Sequence, residues 1–188
     1  MVIVVAGDLI GAAGSGRMVE AIAGRAAQLG SPTEVVGVLP GDGAGDRRLL
    51  HLASRGIGHA AVLRTTAANL DPADLELALR YLPDLRAIVL VEPSVDLVAP
   101  AVAASAWSGA ALVIVTSAPT DDGDAGSNTW VLAAPKTDPD EAFAGVVADL
   151  AHRLHDGADP GQAWQATLTV LGLEPAVDPA PEDVPAPG

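Results

Sequence analysis

The sequence predicts an α/β protein with three layers, in which helices cover both faces of a mostly parallel β-sheet. Short runs of β-branched and other apolar residues are typical of strands that are buried on both faces, and the clearest lie at 2–6, 87–91 and 111–116. Segments in which apolar residues recur every three or four positions separate these runs and indicate helices. Because strands that alternate with helices form parallel sheets, the pattern predicts an αβα sandwich.

The first half of the chain should contain three strands and three helices. Apolar residues recur at helical spacing after the first strand, at Met18, Ile22, Ala26 and Leu29. A turn-rich loop at 40–45 should precede the second helix. Asp71 followed by Pro72 is typical of a helix start and predicts that of the third helix. Asp caps the first free amides, and Pro is favoured in the first turn, where its missing N–H is not needed. The elements predicted after the first helix are a strand at 34–38, a helix at 46–54, a strand at 59–63 and a helix from 71 to about 82.

The second half should continue the alternation and end in a tail. The predicted elements are a strand at 87–91, a helix at 95–107, a strand at 111–116, a loop at 117–128, a strand at 129–133, a helix from 139 or 140 to 155 and a helix from 159 to 171. Residues 175–188 are acidic and rich in Pro, so they bury too little apolar area to fold. We therefore expect one domain at 1–174 and a disordered tail at 175–188.

Composition excludes several classes of function. A chain of 188 residues with 49% hydrophobic content can form a core without covalent staples. The absence of cysteine excludes disulfides, thiolate metal sites and a cysteine nucleophile. With 10 basic and 24 acidic residues the net charge is −14, which predicts no binding to nucleic acid or to anionic membranes. Since no apolar segment approaches the ~20 residues of a spanning helix and no basic flank of a signal peptide is present, we expect a cytoplasmic protein.

A glycine-rich segment lies between the first strand and the first helix, where backbone amides can hold an anion, and it contains Gly11, Gly14, Ser15 and Gly16. A phosphate-binding loop would carry lysine and a hydroxyl residue where this chain has Arg17 and Met18. A dinucleotide site would need an acid at the end of the second strand, and 34–38 ends without one. A tight turn that requires small residues is the third interpretation. Gly14, Ser15 and Gly16 are the candidate cofactor-binding residues of this segment.

Further motifs follow in order: SGR at 15–17, AQLG at 27–30, VGVLPGDGAG at 36–45, RGI at 55–57 and AANLDPADL at 67–75. Near the other end, DEAFAG at 140–145 is continued through Gly157 and Ala163. The order and spacing of these segments resemble the ribokinase-like (PfkB) carbohydrate kinase family over most of residues 1–174. The resemblance implies the same fold in an abbreviated form. The missing parts are the lid strands after Gly11 and after Leu63 and at least one βα unit before Ser117.

The resemblance implies phosphoryl transfer from a nucleotide to a sugar or nucleoside hydroxyl. In the family, a glycine-rich turn before the catalytic helix forms an anion hole, and an Asp at the helix start is the base. The matching residues of this chain are Asp138, Pro139, Asp140 and Glu141. Pro139 has no N–H, the carboxylates of Asp138 and Asp140 repel phosphate, and Glu141 is longer than the family's Asp. We therefore expect an impaired site, in which Asp140 or Glu141 is the base only if the protein is an active kinase.

Other family positions also differ in this chain. Ala12 stands where the resemblance implies a substrate-binding Asp, Arg17 where it implies a glycine, and Ala21 where it implies a sugar-binding Asn. The nucleotide segment around Ser117 lacks its glycine. Without lid strands nothing in the sequence would close a sugar pocket against water. The apolar area that a lid would cover should then be masked by a homodimer or by a protein partner.

Two other groups of residues could bind a metal ion, but ordinary surface roles explain both of them better. The acids at 121–124 with Asn128 could surround a hard cation, but they lack the terminal acidic ligand of a calcium loop, so we expect a solvated loop. His152 and His155 lie three positions apart on one predicted helix, and we interpret them as surface histidines rather than a zinc pair. We therefore predict no metal site. Core packing is the expected role of Trp107, Trp130 and Trp164, whereas an exposed tryptophan on a truncated face would indicate a partner surface.

Three functional hypotheses follow from the sequence. The first is a catalytically impaired kinase homologue, a pseudokinase, that binds a protein partner or a small ligand in a cleft formed by 14–16 and 138–141 and needs no cofactor. The second is an active small-molecule kinase that uses ATP and magnesium. The third is a Rossmann-like nucleotide-binding module.

Overall fold

The architecture is known from a computed structural model, which describes residues 1–9, 15–66, 69–82, 84–118 and 128–172. The strands are β1 (Val2–Gly7), β2 (Thr33–Leu39), β3 (Gly58–Arg64), β4 (Leu85–Val91), β5 (Ala111–Thr116) and β6 (Thr129–Ala133). The helices are α1 (Ser15–Gln28), α2 (Gly43–Ser54), α3 (Pro72–Tyr81), α4 (Val95–Ser108), α5 (Ala142–His155) and α6 (Pro160–Leu171).

The six strands form one sheet in the order β3-β2-β1-β4-β5-β6, and every described pair is parallel. The predicted mostly parallel sheet is therefore confirmed. The order reverses at β1, which pairs with β2 on one side and with β4 on the other. In open sheets of this type, such a reversal opens a crevice at the carboxyl ends of the strands.

Helices cover both faces of the sheet, as the sequence predicts for an αβα sandwich. The core on one face lies under α1, α2, α5 and α6 and includes Ile3, Val5 and Leu150, all fully buried. The core on the other face lies under α3 and α4 and includes Val4 and Leu75. Alternate residues of β1 enter opposite cores, which is why this strand is apolar throughout. The four-helix face includes α1 and α5, which pack against each other.

Two helix starts differ from the sequence prediction. Helix α2 begins at Gly43 rather than at 46, because the Asp42 carboxylate accepts hydrogen bonds from the Ala44 and Gly45 amides and caps the helix within the predicted loop. Helix α5 begins at Ala142 rather than at 139 or 140. Glu141 precedes it with φ of 54°, a left-handed conformation that cannot continue a right-handed helix. By contrast, the predicted Asp71 cap of α3 is confirmed by a bond of 2.8 Å from the Ala73 amide.

The tryptophans divide between the core and the surface. Trp130 and Trp164 are partly buried and pack with ring centroids 6.1 Å apart. Trp107 is 59% exposed on α4, so the prediction of a core role is wrong for this residue. No described helix is long and apolar enough to span a membrane. The predicted tail at 175–188 and the acids at 121–124 lie outside the described residues.

Candidate functional site

A cavity of about 580 Å³ lies at the carboxyl end of the sheet, where the strand order reverses. The register aligns the strand ends, because Gly7 of β1 pairs with Val91 of β4, Val91 pairs with Val115 of β5, and Val115 pairs with Leu132 of β6. The segments that follow β4, β5 and β6 therefore converge beside the start of α1. This is the position at which sheets of this class bind ligands.

Helix α1 supplies one wall of the cavity through Ser15, Arg17, Met18 and Ala21. The first turn lies close to the end of β1, because a Cβ added to the buried Gly16 would stand 3.0 Å from the Leu9 carbonyl oxygen. A glycine suits this close approach, because a Cβ at this position would press on the backbone before α1. Gly16 itself is not a lining residue.

Glu92 joins the ends of β4 and β5 at the base of the cavity. Its φ of 47° is a strained conformation for a residue with a side chain. Its N–H donates to the Val115 carbonyl oxygen at 2.7 Å, and its carboxylate accepts from the Ser117 amide at 2.8 Å and from the Ser117 hydroxyl at 3.1 Å. The sequence analysis did not single out Glu92. The available signal was an acid directly after a buried parallel strand, at the edge where ligands bind.

The loop between β6 and α5 supplies the opposite wall, and Asp138 is its anchor. One oxygen of the Asp138 carboxylate accepts from the Phe143 amide at 3.1 Å, and the other accepts from the Ala144 amide at 2.9 Å. The Asp138 carbonyl oxygen also accepts from the Glu141 amide at 3.2 Å. The helix start, where unpaired amides favour negative charge, is therefore occupied by a carboxylate of the chain itself.

The two candidate bases lie differently with respect to the cavity. Glu141 lines it and has φ of 54°. Asp140 is exposed and is not one of the lining residues. Three described non-glycine residues have positive φ, and two of them, Glu92 and Glu141, line this cavity. Strained backbone is thus concentrated at this site, which is typical of functional positions.

Two cations line the same cavity, Arg17 from α1 and Lys136 from the loop before α5. Both are exposed, and within the described parts of the chain neither forms an ion pair. Lys136 is the sole lysine of the sequence. Since Asp138 is bound to amides and Glu92 to Ser117, these cations are available to a ligand.

Three of the six catalytic or cofactor-binding candidates from the sequence line this cavity: Ser15, Asp138 and Glu141. Gly16 is buried and Asp140 is exposed, and neither is a lining residue, whereas Gly14 lies outside the described residues. Glu92 was not predicted from the sequence, and neither was a ligand-binding role for Lys136 or Ser117.

Comparison with solved structures supports this architecture. The chain is similar to the apo form of a protein from E. coli assigned as a ribokinase II, with a TM-score of 0.50 and 15% identity over 90% of this chain and 70% of that chain. The form of the E. coli protein with ATP and Mg²⁺ gives a TM-score of 0.50 and 15% identity over 89% of this chain and 69% of that chain. This chain has a ribokinase-like fold.

A third structure shows that the layered sheet is also shared more widely. A de novo designed protein with the P-loop NTPase fold gives a TM-score of 0.53 and 13% identity over 85% of this chain and 95% of that chain. No protein-family model and no curated protein matches the sequence. The solved structures therefore establish the fold, and the chemistry has to be argued from the cavity.

Proposed function

We propose that this protein is a catalytically impaired kinase homologue that binds a small anionic, hydroxyl-rich ligand in the cavity and transfers no phosphate. The observation that carries the proposal is the Asp138 carboxylate on the Phe143 and Ala144 amides. Phosphoryl transfer depends on donors directed at the charge that develops on the phosphate. At the start of α5 two such donors are already paired with a negative group.

The neighbouring residues strengthen this argument. Pro139 lines the cavity and has no N–H to offer a phosphate. An incoming phosphate would also meet the charge of Asp138, since displacing it would remove two hydrogen bonds from α5. The residues at this helix start therefore do not fit the phosphates of a nucleotide.

The ligand class follows from the other wall of the cavity. Arg17 and Lys136 supply two positive charges. Ser15 and Thr137 supply hydroxyl groups that donate and accept hydrogen bonds, and the Ser117 hydroxyl, which donates to Glu92, can still accept one. A sugar acid or a sugar phosphate combines an anionic group for the cations with hydroxyls for the polar side chains. The volume of about 580 Å³ lies within the range of small-molecule sites.

Thermal unfolding and amine labelling test the proposal together. We expect gluconate or ribose 5-phosphate to raise the unfolding temperature, and neutral ribose, NAD, magnesium-ATP and magnesium-ADP to leave it unchanged. Because Lys136 is the sole lysine, a bound anion should also protect this one side chain from acylation. Peptide mapping distinguishes acylation of Lys136 from acylation of the N-terminal amine. Protection by nucleotides and not by sugar anions would contradict the proposal.

A matched pair of variants separates the cavity from general charge effects. Lys136→Gln should remove most of the ligand-dependent stabilisation. Arg86→Gln, which also removes one exposed cation but lies at the amino end of β4, should retain it. Equal losses in the two variants would show that binding depends only on net charge.

One observation favours the rival hypothesis of an active kinase, namely the position of Glu141 in the wall of the cavity. In that case magnesium-ATP would stabilise the protein, a sugar would be phosphorylated, and Glu141→Gln would abolish turnover while Asp140→Asn would not. The Rossmann-like alternative is favoured by the strand order β3-β2-β1-β4-β5-β6. It requires stabilisation by NAD.

A further inference from the structure

A second cluster of polar side chains lies at the end of the sheet opposite the cavity. The last turn of α5 carries His152 and His155, and Asp156 caps the helix. These residues lie beside Met1, which precedes β1, and Ser31, which precedes β2. The sequence shows only a pair of histidines at this position, whereas folding adds a carboxylate and two distant segments.

The three side chains present a set of metal ligands at close range. The His155 Nδ1 atom lies 2.9 Å from Asp156 Oδ1, and the His152 Nε2 atom lies 3.6 Å from Asp156 Oδ2. All three ligand atoms lie within 4.8 Å of one another. Bonds of about 2.0–2.2 Å from a tetrahedral zinc ion would place such atoms about 3.4 Å apart, so small side-chain rotations bring them into range.

Each histidine is also held from its other ring nitrogen. The His152 Nδ1 atom lies 2.8 Å from the hydroxyl oxygen of the buried Ser31, and the His155 Nε2 atom lies 3.3 Å from the Met1 carbonyl oxygen. When these outer nitrogens carry the protons, the inner nitrogens direct their lone pairs towards Asp156. Metal-binding histidines are generally oriented by partners of this kind.

The surroundings favour a positive ion at this point. The carboxyl end of a helix carries partial negative charge, and α5 ends here. Both ring nitrogens of His155 face oxygen atoms, but a neutral imidazole has only one N–H to share between them. Either a second proton on the ring or a cation bound at Nδ1 satisfies both oxygen atoms.

We propose that His152, His155 and Asp156 bind a divalent transition-metal ion, with zinc as the fitting probe. Two imidazoles and one carboxylate suit zinc, and water completes the coordination. The ion would tie the end of α5 to the first residue of the chain and to the connection between α1 and β2. This site is separate from the ligand cavity, so the proposal is independent of the proposed function.

Zinc titration of the full, tag-free chain tests the site directly. After removal of metal with a chelator, calorimetry should show one zinc per chain, and substitution with cobalt should give visible absorption bands of a nitrogen- and oxygen-ligated ion. Asp156→Asn alters an exposed side chain and should fold, and it should weaken zinc binding about tenfold or more. Ser31→Ala tests the orienting contact and should weaken binding about tenfold while leaving all three ligands in place.

A histidine outside the cluster provides the control. His51→Gln removes an exposed histidine from α2 and should leave zinc affinity and stoichiometry unchanged. Zinc should also raise the unfolding temperature of the unmodified chain and of His51→Gln, but not that of Asp156→Asn. Substoichiometric binding at micromolar zinc, or equal affinity in Asp156→Asn and His51→Gln, would overturn the proposal.

Discussion

The carboxylate of Asp42 illustrates how a single exposed side chain sets a helix boundary. It accepts bonds of 2.9 Å from the Ala44 amide and 3.1 Å from the Gly45 amide. These bonds lower the pKa of Asp42 below its ordinary value, and the bond from Gly45 has the largest effect. Because the folded pKa is the lower one, the cap stabilises the protein fully above the unfolded pKa of about 3.9. The stabilisation is lost as the pH falls through the folded pKa.

We predict that Asp42→Ala lowers the unfolding temperature at pH 7 and that its difference from the unmodified chain disappears at pH values well below 4. Asp140→Ala, an exposed acid that makes no cap bond among the described residues, should show no such pH-dependent difference. Unfolding curves measured from pH 2 to pH 7 provide the test. A constant difference across this range would mean that the charge of Asp42 is not what caps α2.

At single residues the sequence predicted some roles and missed others for a physical reason. The Asp71 cap was predicted because Pro72 marks the first turn. The Asp42 cap was missed because glycines follow Asp42 and suggest a loop. The Asp138 cap was missed because its carboxylate binds amides five and six positions ahead, beyond Glu141 in its left-handed conformation. Local spacing rules describe caps two or three positions away, and the contact of Asp138 depends on the path of the whole loop.

At the scale of elements, the floor of the cavity depends on close packing of α1 against the sheet. A Cβ on Gly7 at the end of β1 would stand 2.8 Å from the Val91 carbonyl oxygen and 2.9 Å from a methyl group of Val19. The backbone oxygen belongs to the neighbouring strand and cannot rotate away. A side chain at this position therefore has to separate β1 from β4 or move α1.

We predict that Gly7→Ala destabilises the protein by about 1–3 kcal/mol, because overpacking forces the backbone to shift. Gly41→Ala is the matched control, since its Cβ would contact nothing within 4 Å and the effect should be negligible. Denaturant unfolding of both variants measures the difference. If both lost the same stability, the close approach of β1, β4 and α1 would not be tight.

The order of the strands and helices was predictable from the sequence. The exact helix boundaries and the residues that line the cavity were less predictable. The buried strands β4 and β5 were predicted from their apolar runs at 87–91 and 111–115, which are too short for a typical helix and rich in β-branched residues. The start of α5 was placed too early because Pro139 favours a first helical turn, whereas the structure uses it in the loop. The roles of Glu92 and Lys136 depend on which strand ends adjoin, which local pattern does not encode.

At the scale of the whole molecule, α4 presents an apolar face to solvent. Its outward positions include Val95, which is 83% exposed, and Trp107, which is 59% exposed. Asp96 is the sole charged residue of the helix. The expectation from the sequence, a homodimer or a protein partner on the face left by the missing lid, stays a prediction. The apolar face of α4 is one of the exposed surfaces that such a contact would cover.

We predict that the protein sediments as a dimer at micromolar concentration and that Trp107→Gln shifts it to a monomer. Tyr81→Gln on α3 also removes an exposed aromatic side chain, and it should leave the dimer intact. Analytical ultracentrifugation over a concentration series distinguishes the two variants. A monomer at the highest concentrations of the unmodified chain would remove self-association from the account and leave a different protein as the partner.

The chain's own Asp138 occupies the anion-binding start of α5, and the proposed loss of phosphoryl transfer depends on this contact. The most direct test is thermal unfolding of the unmodified chain, Asp138→Gly and Asp140→Gly with and without magnesium-ATP. We predict that Asp138→Gly is less stable by about 1 kcal/mol without ligand, because it loses its cap, and that it alone is stabilised by the nucleotide. Stabilisation of the unmodified chain by magnesium-ATP, or identical behaviour of the two glycine variants, would contradict the claim.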